Sequence, residues 1–254
     1  MLPIRDLIKS QRRPVVTWAL VAINIVVFFV VQPSSFAGVR TDPTTSEQQS
    51  QFLYENALVP CEASHWHALT PQLTAECQQQ PRLFTGGAEF FPGKSVLLSI
   101  FASMFFHANL LHLLFNMWFL WIFGDNVEDR FGHVGYLLLY VIGGVIASAA
   151  QVASDPNSIV PVIGASGAIA VVMGSYLVLY PRARIITIIL PIFFLPLLLP
   201  AVLLLGFWFV SQFFTETSSG VAWVAHVGGF VAGAVVTWLI FHGRTRQPDP
   251  APYY

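Results

Sequence analysis

Ser166 stands in the run Gly164-Ala165-Ser166-Gly167, and His226 follows sixty residues later in Ala225-His226-Val227-Gly228-Gly229. A serine hydroxyl is a weak nucleophile until a base within hydrogen-bond reach takes its proton. An imidazole is the side chain best suited to that task near neutral pH. A second polar group precedes them in Asn109-Leu110-Leu111-His112-Leu113-Leu114-Phe115-Asn116. Positions i and i+4 share a helix face, so His112 and Asn116 point one way, and Asn109 roughly joins them. Each feature also has a plain reading. A serine among glycines serves packing, and a polar stripe makes interhelical hydrogen bonds worth about 0.6 kcal/mol on average. The combination favours a nucleophile and its base in an enzyme working below the membrane surface, because polar residues inside an apolar span are expensive and mark function.

The elements that must position these residues are membrane helices. Of 254 residues, 55% are hydrophobic and 10% charged, against about 25% charged in soluble domains. The net charge of −1 gives no basic footprint, which excludes nucleic acid as an expected partner. Six apolar segments are expected to be spans: Val15–Val31, Asn109–Phe123, His133–Ala150, Ile163–Tyr180, Ile185–Phe209 and Val221–Phe241. The fold class is therefore read as an all-α polytopic membrane protein, one domain over 1–254. Val96–Phe106 reads as a short helix at the interface that breaks at His107-Ala108-Asn109, with Asn109 as the N-cap of the next helix. The first segment exceeds the apolar core of a cleaved leader and is expected to be a retained signal-anchor.

Positive charge sets the orientation. Arg5, Lys9, Arg12, Arg13, Arg130, Arg182, Arg184, Arg244 and Arg246 fall on one side of six alternating spans, nine of the twelve Lys and Arg residues. That side is the cytoplasmic one, which places 1–14 and the tail 243–254 inside and the 33–95 loop outside, in a cell (inner) membrane. The outward loop is polar and expected to be helical in part at most. Its tail counterpart, Gln247–Tyr254, is expected to be disordered. Counting helical rise from Gly124, Pro181 and His242 puts His112 at about 18 Å, Ser166 at about 22 Å and His226 at about 24 Å. In a hydrocarbon core about 30 Å thick all three lie near one depth, about 6–12 Å below the outer surface.

The two cysteines, Cys61 and Cys77, both fall in the outward loop. A disulfide and two free thiols are both open readings there. His65 and His67 lie nearby, but the spacing matches no closed zinc pattern, and no metal or cofactor is expected. Ala225, Gly229 and Gly233 make a small face on the last segment. Gly167, Val171 and Gly174 make a partly small one on the fourth, and such faces permit close helix approach.

Taken in order, Gly164-Ala165-Ser166-Gly167, His112-x-x-x-Asn116 and Ala225-His226-Val227-Gly228-Gly229-Phe230-Val231-Ala232-Gly233 resemble the signature elements of the rhomboid intramembrane serine proteases. The resemblance covers essentially all six segments. It implies cleavage of other proteins' transmembrane segments in the bilayer by a Ser-His dyad. Ser166 matches the nucleophile and His226 the general base. His112, Asn116 and the Ser166 backbone match the oxyanion hole, and Gly164, Gly167 and Gly229 are supporting. Some members carry an aromatic residue four positions after the serine; here that position is Ala170, so another side chain, Met173 or Phe230 among the candidates, is expected to orient the histidine. The proline-broken fifth segment is expected to part from the bundle as a lateral gate, as the family also suggests. An inactive rhomboid-like binder of membrane helices and a small transporter remain the alternatives. The first usually lacks the serine or the histidine, and the second more often carries paired charges within its spans.

Overall fold

The computed structural model describes residues 1–33, 43–79, 89–189, 193–215 and 221–242. Arg40, Arg82, Pro191, the Thr215–Gly220 loop beyond Thr215, and the whole tail with Arg244 and Arg246 lie outside the described residues. The protein is mostly helical. In chain order the elements are β1 (Leu2–Asp6), α1 (Val15–Val26, continued by a π-helical turn, Val27–Val31), α2 (Pro43–Asn56), α3 (Pro60–His65), α4 (Pro71–Cys77), α5 (Val96–Ala102, followed by a 3-10 turn, Ser103–Phe105), α6 (Leu110–Ser154), α7 (Ser166–Leu179), β2 (Arg184–Ile189), β3 (Phe193–Pro200), α8 (Ala201–Gln212) and α9 (Trp223–Phe241). Two of the described helices, α6 and α9, are long and apolar enough by themselves to cross a membrane.

Two expectations are corrected. The fold is not all-α: β1, β2 and β3 form an antiparallel sheet in that order. The Ile185–Phe209 segment is correspondingly not one helix but β2, β3 and then most of α8. Its residues explain this. Ile185-Ile186-Thr187-Ile188-Ile189 is a β-branched run that favours a strand. Proline is excluded from helix interiors, yet tolerated on an edge strand and just before a helix. Pro196 lies on the edge strand β3 where the β2–β3 register shifts, and Pro200 is the N-cap of α8. The lateral gate, which assumed a loosely packed helical span over this whole stretch, loses that basis.

The chain also does not turn out of a helix at Gly124. Residues 110–131 and 133–154 are helical on either side of Gly132, whose φ of 72° breaks the helix. Glycine adopts that left-handed region without steric cost.

The structure divides into two compact units. One comprises residues 1–21, 117–147 and 167–254. In it Glu128, buried, accepts from the backbone N–H groups of Val16 and Thr17 at 2.8 Å and from Thr17 Oγ1 at 2.7 Å. The first N–H groups of a helix have no partner within it, and a carboxylate there also meets the positive end of the helix dipole. Asp129 accepts likewise from the N–H groups of Gln11 and Arg12. Asp6 Oδ2 accepts from Asn126 Nδ2 at 2.7 Å and from the Tyr176 hydroxyl at 2.8 Å, which ties β1 to α6 and α7. Helices α7 and α9 meet through glycine. A Cβ added at Gly174 would lie 2.0 Å from the Phe230 carbonyl oxygen, and one at Gly233 would lie 2.0 Å from that of Val171.

The other unit comprises residues 22–116 and 148–166. Residues 43–79 carry three helices. Apolar residues at helical spacing bury a small core of Val59, Cys61, Leu69, Leu73 and Cys77. The Cys61 and Cys77 sulfurs are bonded to each other. Sulfurs so bonded offer no thiolate to a metal, although His65 stands beside them. Lys94 and Glu62 form an ion pair with both side chains 1% exposed. The Lys94 ammonium also donates to the Tyr54 carbonyl, and Glu62 accepts from the Leu69 N–H. Burial lowers the Lys94 pKa from its ordinary value, with the Glu62 charge opposing that shift.

Candidate active site

Asn109 caps α6, its side-chain oxygen accepting from the His112 N–H at 2.8 Å. That cap fixes where the helix starts and thereby the face on which His112 and Asn116 stand. Asn116 Nδ2 donates to the His112 carbonyl at 2.8 Å. An amide nitrogen carries two N–H groups, so this bond uses only one of them. The His112 Nδ1 accepts from the Ala108 N–H at 3.4 Å. A ring nitrogen that accepts is unprotonated, so the neutral ring carries its proton on Nε2 and donates from there.

Nε2 faces Gly164. A Cβ added to Gly164 would lie 2.9 Å from both Cε1 and Nε2 of His112, and 3.6 Å from the Ser166 hydroxyl oxygen. Gly164 has φ +117°, a conformation that L side chains rarely adopt. Glycine is thus required twice at this position, for its backbone angle and for the room its missing side chain leaves. Within this unit, then, His112, Gly164 and Ser166 come together, and Asn116 lies one turn along α6 from His112.

The loop that delivers Ser166 is strapped down along its length. Cys61 N–H donates to the Ser158 carbonyl at 2.9 Å, and Val162 N–H donates to the Leu58 carbonyl at 2.7 Å. Gly164 N–H donates to the Ser103 carbonyl at 2.9 Å. The Ser103 hydroxyl in turn accepts from the Leu58 N–H at 2.5 Å and donates to the Ser99 carbonyl. Ser103 thus joins the 33–95 loop to the Ser166 loop. Ser166 then opens α7, so its own N–H belongs to the first turn, where backbone donors have no helical acceptor and the dipole favours negative charge.

His107 is fully buried beside His112, the two rings 5.1 Å apart. Gln32 holds the His107 backbone from both sides, accepting from its N–H at 3.0 Å and donating to its carbonyl.

The remaining sequence candidates lie in the other unit. His226 stands on α9, in the turn that also carries Ala225 and Gly229. Gly167, the chain neighbour of Ser166, packs there: a Cβ on Gly229 would lie 2.4 Å from the Gly167 carbonyl oxygen, and one on Gly167 would meet Ala147 at 2.9 Å and Ala225 at 3.8 Å. His226 Nδ1 lies 2.8 Å from Gln212 Oε1. The Trp208 ring lies 5.8 Å from the His226 ring, tilted by 38°. Phe230 sits one ring further, against Trp208 and Phe209. The histidine is therefore oriented by Gln212 and Trp208, two residues of α8 that sequence reasoning did not select. Gln212 lies just beyond the fifth apolar segment, and only a polar side chain near the end of an apolar helix marked it.

Residues 94–243 match the Rhomboid domain. The chain is 28% identical to the zebrafish presenilin-associated rhomboid-like protein A, mitochondrial, over 61% of its own length and 41% of that protein. It is 32% identical to the Arabidopsis thaliana RHOMBOID-like protein 12, mitochondrial, over 59% and 48%. It is 30% identical to the Saccharomyces cerevisiae Rhomboid protein 1, mitochondrial, over 59% and 44%. The matched stretch spans less than half of each of these relatives.

Proposed function

The chain belongs to the rhomboid family of membrane proteins, and on that premise we propose that it is an intramembrane serine endopeptidase that cuts transmembrane segments of other proteins near the outer interface. The observation that carries this reading is the approach of the His112 ring and the Ser166 hydroxyl to one glycine, Gly164, which has no room for a side chain. A packing serine has no need of a protonated imidazole nitrogen directed at the same spot.

In this reading Ser166 Oγ attacks the scissile carbonyl while His226 Nε2 takes its proton. The carbonyl oxygen becomes an oxyanion. His112 Nε2–H, the second N–H of Asn116 Nδ2 and the Ser166 backbone N–H are its donors. Aimed donors matter most where charge develops in the transition state, and removal of one costs about 10²–10³ in rate. His226 then returns the proton to the leaving amine, and water repeats the cycle on the acyl-enzyme. A helical peptide bond is shielded by its own hydrogen bond, so substrates with helix-weakening Gly or Pro near the outer interface are preferred.

The proposed setting is one membrane domain over 1–254 with six crossings, in which β2 and β3 precede the fifth. Its N-terminus (1–14) and tail (243–254) are cytoplasmic, its 33–95 loop is outward, and the bilayer is a cell (inner) membrane. The relatives carry mitochondrial names, and it is the charge asymmetry of this chain that favours the orientation given. The test is cleavage of a reconstituted transmembrane substrate by wild type, Ser166→Ala and His226→Ala. Loss of cutting in both folded variants is the expected result. Cutting that survives Ser166→Ala removes the proposal, and no cutting by any form on several substrates favours a binder of membrane helices.

A further inference from the structure

Gln212 is the last residue of α8, and its side chain is buried. Its Nε2 donates to the Trp208 carbonyl at 3.0 Å, one turn back on the same helix, and lies 3.3 Å from the Ser211 hydroxyl. A backbone carbonyl cannot donate, so the amide must turn its nitrogen toward Trp208. Its oxygen then faces His226 Nδ1 at 2.8 Å. An amide oxygen only accepts, so Nδ1 must carry the ring proton, and Nε2 of the neutral ring is left as the acceptor. Trp208, four residues earlier on the same helix face, lays its ring beside the same imidazole. One turn of α8 therefore sets both the tautomer and the plane of the ring.

Resting on the Ser-His reading above, the geometry points to Gln212 as the positioning residue of His226, selecting the tautomer in which Nε2 is the base. It holds the ring as the acidic third member of a triad does, but without a charge. The proton count closes without it. The proton leaves Ser166 Oγ for Nε2 as the Oγ–carbon bond forms, and passes from Nε2 to the leaving nitrogen as the carbon–nitrogen bond breaks. Nδ1–H stays on the ring throughout, donating to Gln212 Oε1. A neutral amide stabilises the imidazolium less than a carboxylate would, but a buried carboxylate inside a membrane span costs far more. This accounts for a site that holds its histidine with no acidic residue on either α8 or α9.

The test uses the full chain in proteoliposomes, labelled with ¹⁵N-histidine, as wild type, Gln212→Leu, Gln212→Glu and Ser166→Ala. The His226 tautomer is read from its nitrogen shifts, and kcat and KM from cleavage of a transmembrane substrate. Wild type is expected to show the Nδ1–H form. Gln212→Leu is expected to lose that form and to drop kcat on the order of ten- to a hundred-fold, with KM changed by less than about two-fold. Gln212→Glu keeps an acceptor, so it is expected to keep the Nδ1–H form and to move the acid limb of the pH–rate profile upward, because a carboxylate favours the imidazolium. A Gln212→Leu protein with both the Nδ1–H tautomer and the wild-type kcat overturns the proposal. Where Gln212→Leu does not fold, Gln212→Glu decides: an acid limb that does not move, or loss of the Nδ1–H form, overturns it. Cutting by Ser166→Ala sinks the dyad instead, and the tautomer measurement still decides what Gln212 does.

Discussion

Gly164 and the His112 ring touch with no space for a methyl group between them, since a Cβ on Gly164 would lie 2.9 Å from two atoms of the imidazole. The ring is held from the other side by the Ala108 N–H on Nδ1, so it cannot retreat without breaking the bond that keeps its proton on Nε2. Gly164→Ala is therefore expected to displace the donor. Cleavage should fall by about 10²–10³, and the left-handed φ should cost on the order of 1–3 kcal/mol of stability. Steady-state kinetics and thermal unfolding in detergent check the two parts separately. An alanine variant that cuts normally shows that His112 does not act from this position.

The helix contacts around α9 separate glycines that are required from one that is not. At Gly174 and Gly233 the atom that an added Cβ would meet, at 2.0 Å, is backbone oxygen on the facing helix, which cannot swing aside. Gly174→Ala and Gly233→Ala are expected to force α7 and α9 apart and to cost about 1–3 kcal/mol or more. Gly206 on α8 has nothing within 4 Å of such a Cβ. Gly206→Ala is expected to be neutral or to stabilise by roughly 0.5–1 kcal/mol, the helix-propensity gain. Melting temperatures of the three variants in one detergent rank them, and equal effects at all three positions would contradict the packing.

Much of this was readable in the sequence, for reasons that stop at identifiable places. Helical spacing is strictly local. It is enough to put His112 and Asn116 on one face and to nominate Asn109 as the cap, and the structure has that cap. Small residues at four-residue spacing likewise named the faces through which α7 and α9 approach. The fifth segment failed because a short apolar run fits a strand as well as a helix. Its five consecutive β-branched residues and its prolines favour strands, whereas its overall length suits a membrane span. The Gln212–His226 contact has no local signature at all. It joins the end of α8 to α9, and nothing in the spacing of a glutamine and a histidine fourteen residues apart encodes an amide turned by a carbonyl on its own helix.

The 33–95 loop reaches the candidate nucleophile through a few buried polar groups, and the Lys94–Glu62 pair is the most exacting of them. With both side chains 1% exposed, removal of one partner strands the other charge in the interior, which costs about 3–5 kcal/mol in comparable pairs. Glu62→Gln also weakens the acceptor for the Leu69 N–H. Lys94→Met and Glu62→Gln are both expected to loosen the 57–64 segment on which the Ser158 and Val162 backbone hangs, with a lower melting temperature and faster amide exchange at residues 156–164. The double variant Lys94→Met with Glu62→Leu removes both charges and is expected to recover part of the stability. A double variant less stable than either single one would show that the pair contributes more than the absence of an unpaired charge.

Asp6 links pH to stability, in a strand outside the apolar segments. Burial, with the nearby Asp125 charge adding to it, pushes the Asp6 carboxyl up to about 7, against lowering by the Tyr176 hydrogen bond and the Arg5 charge. Burial also raises Asp125, to about 6. A carboxyl whose folded pKa lies above its unfolded value of about 3.9 binds a proton more tightly in the folded state. Its contribution to stability is complete below the unfolded value and is lost as pH rises through the folded one. The melting temperature is therefore expected to fall by several degrees between about pH 4 and pH 7, as Asp6 and Asp125 ionise against each other. Asp6→Asn keeps an oxygen to accept from Tyr176 and Asn126 and cannot ionise, so its melting temperature is expected to change less over that window. Thermal unfolding of both proteins across the range checks this, and parallel curves would remove Asp6 as the source of the pH dependence.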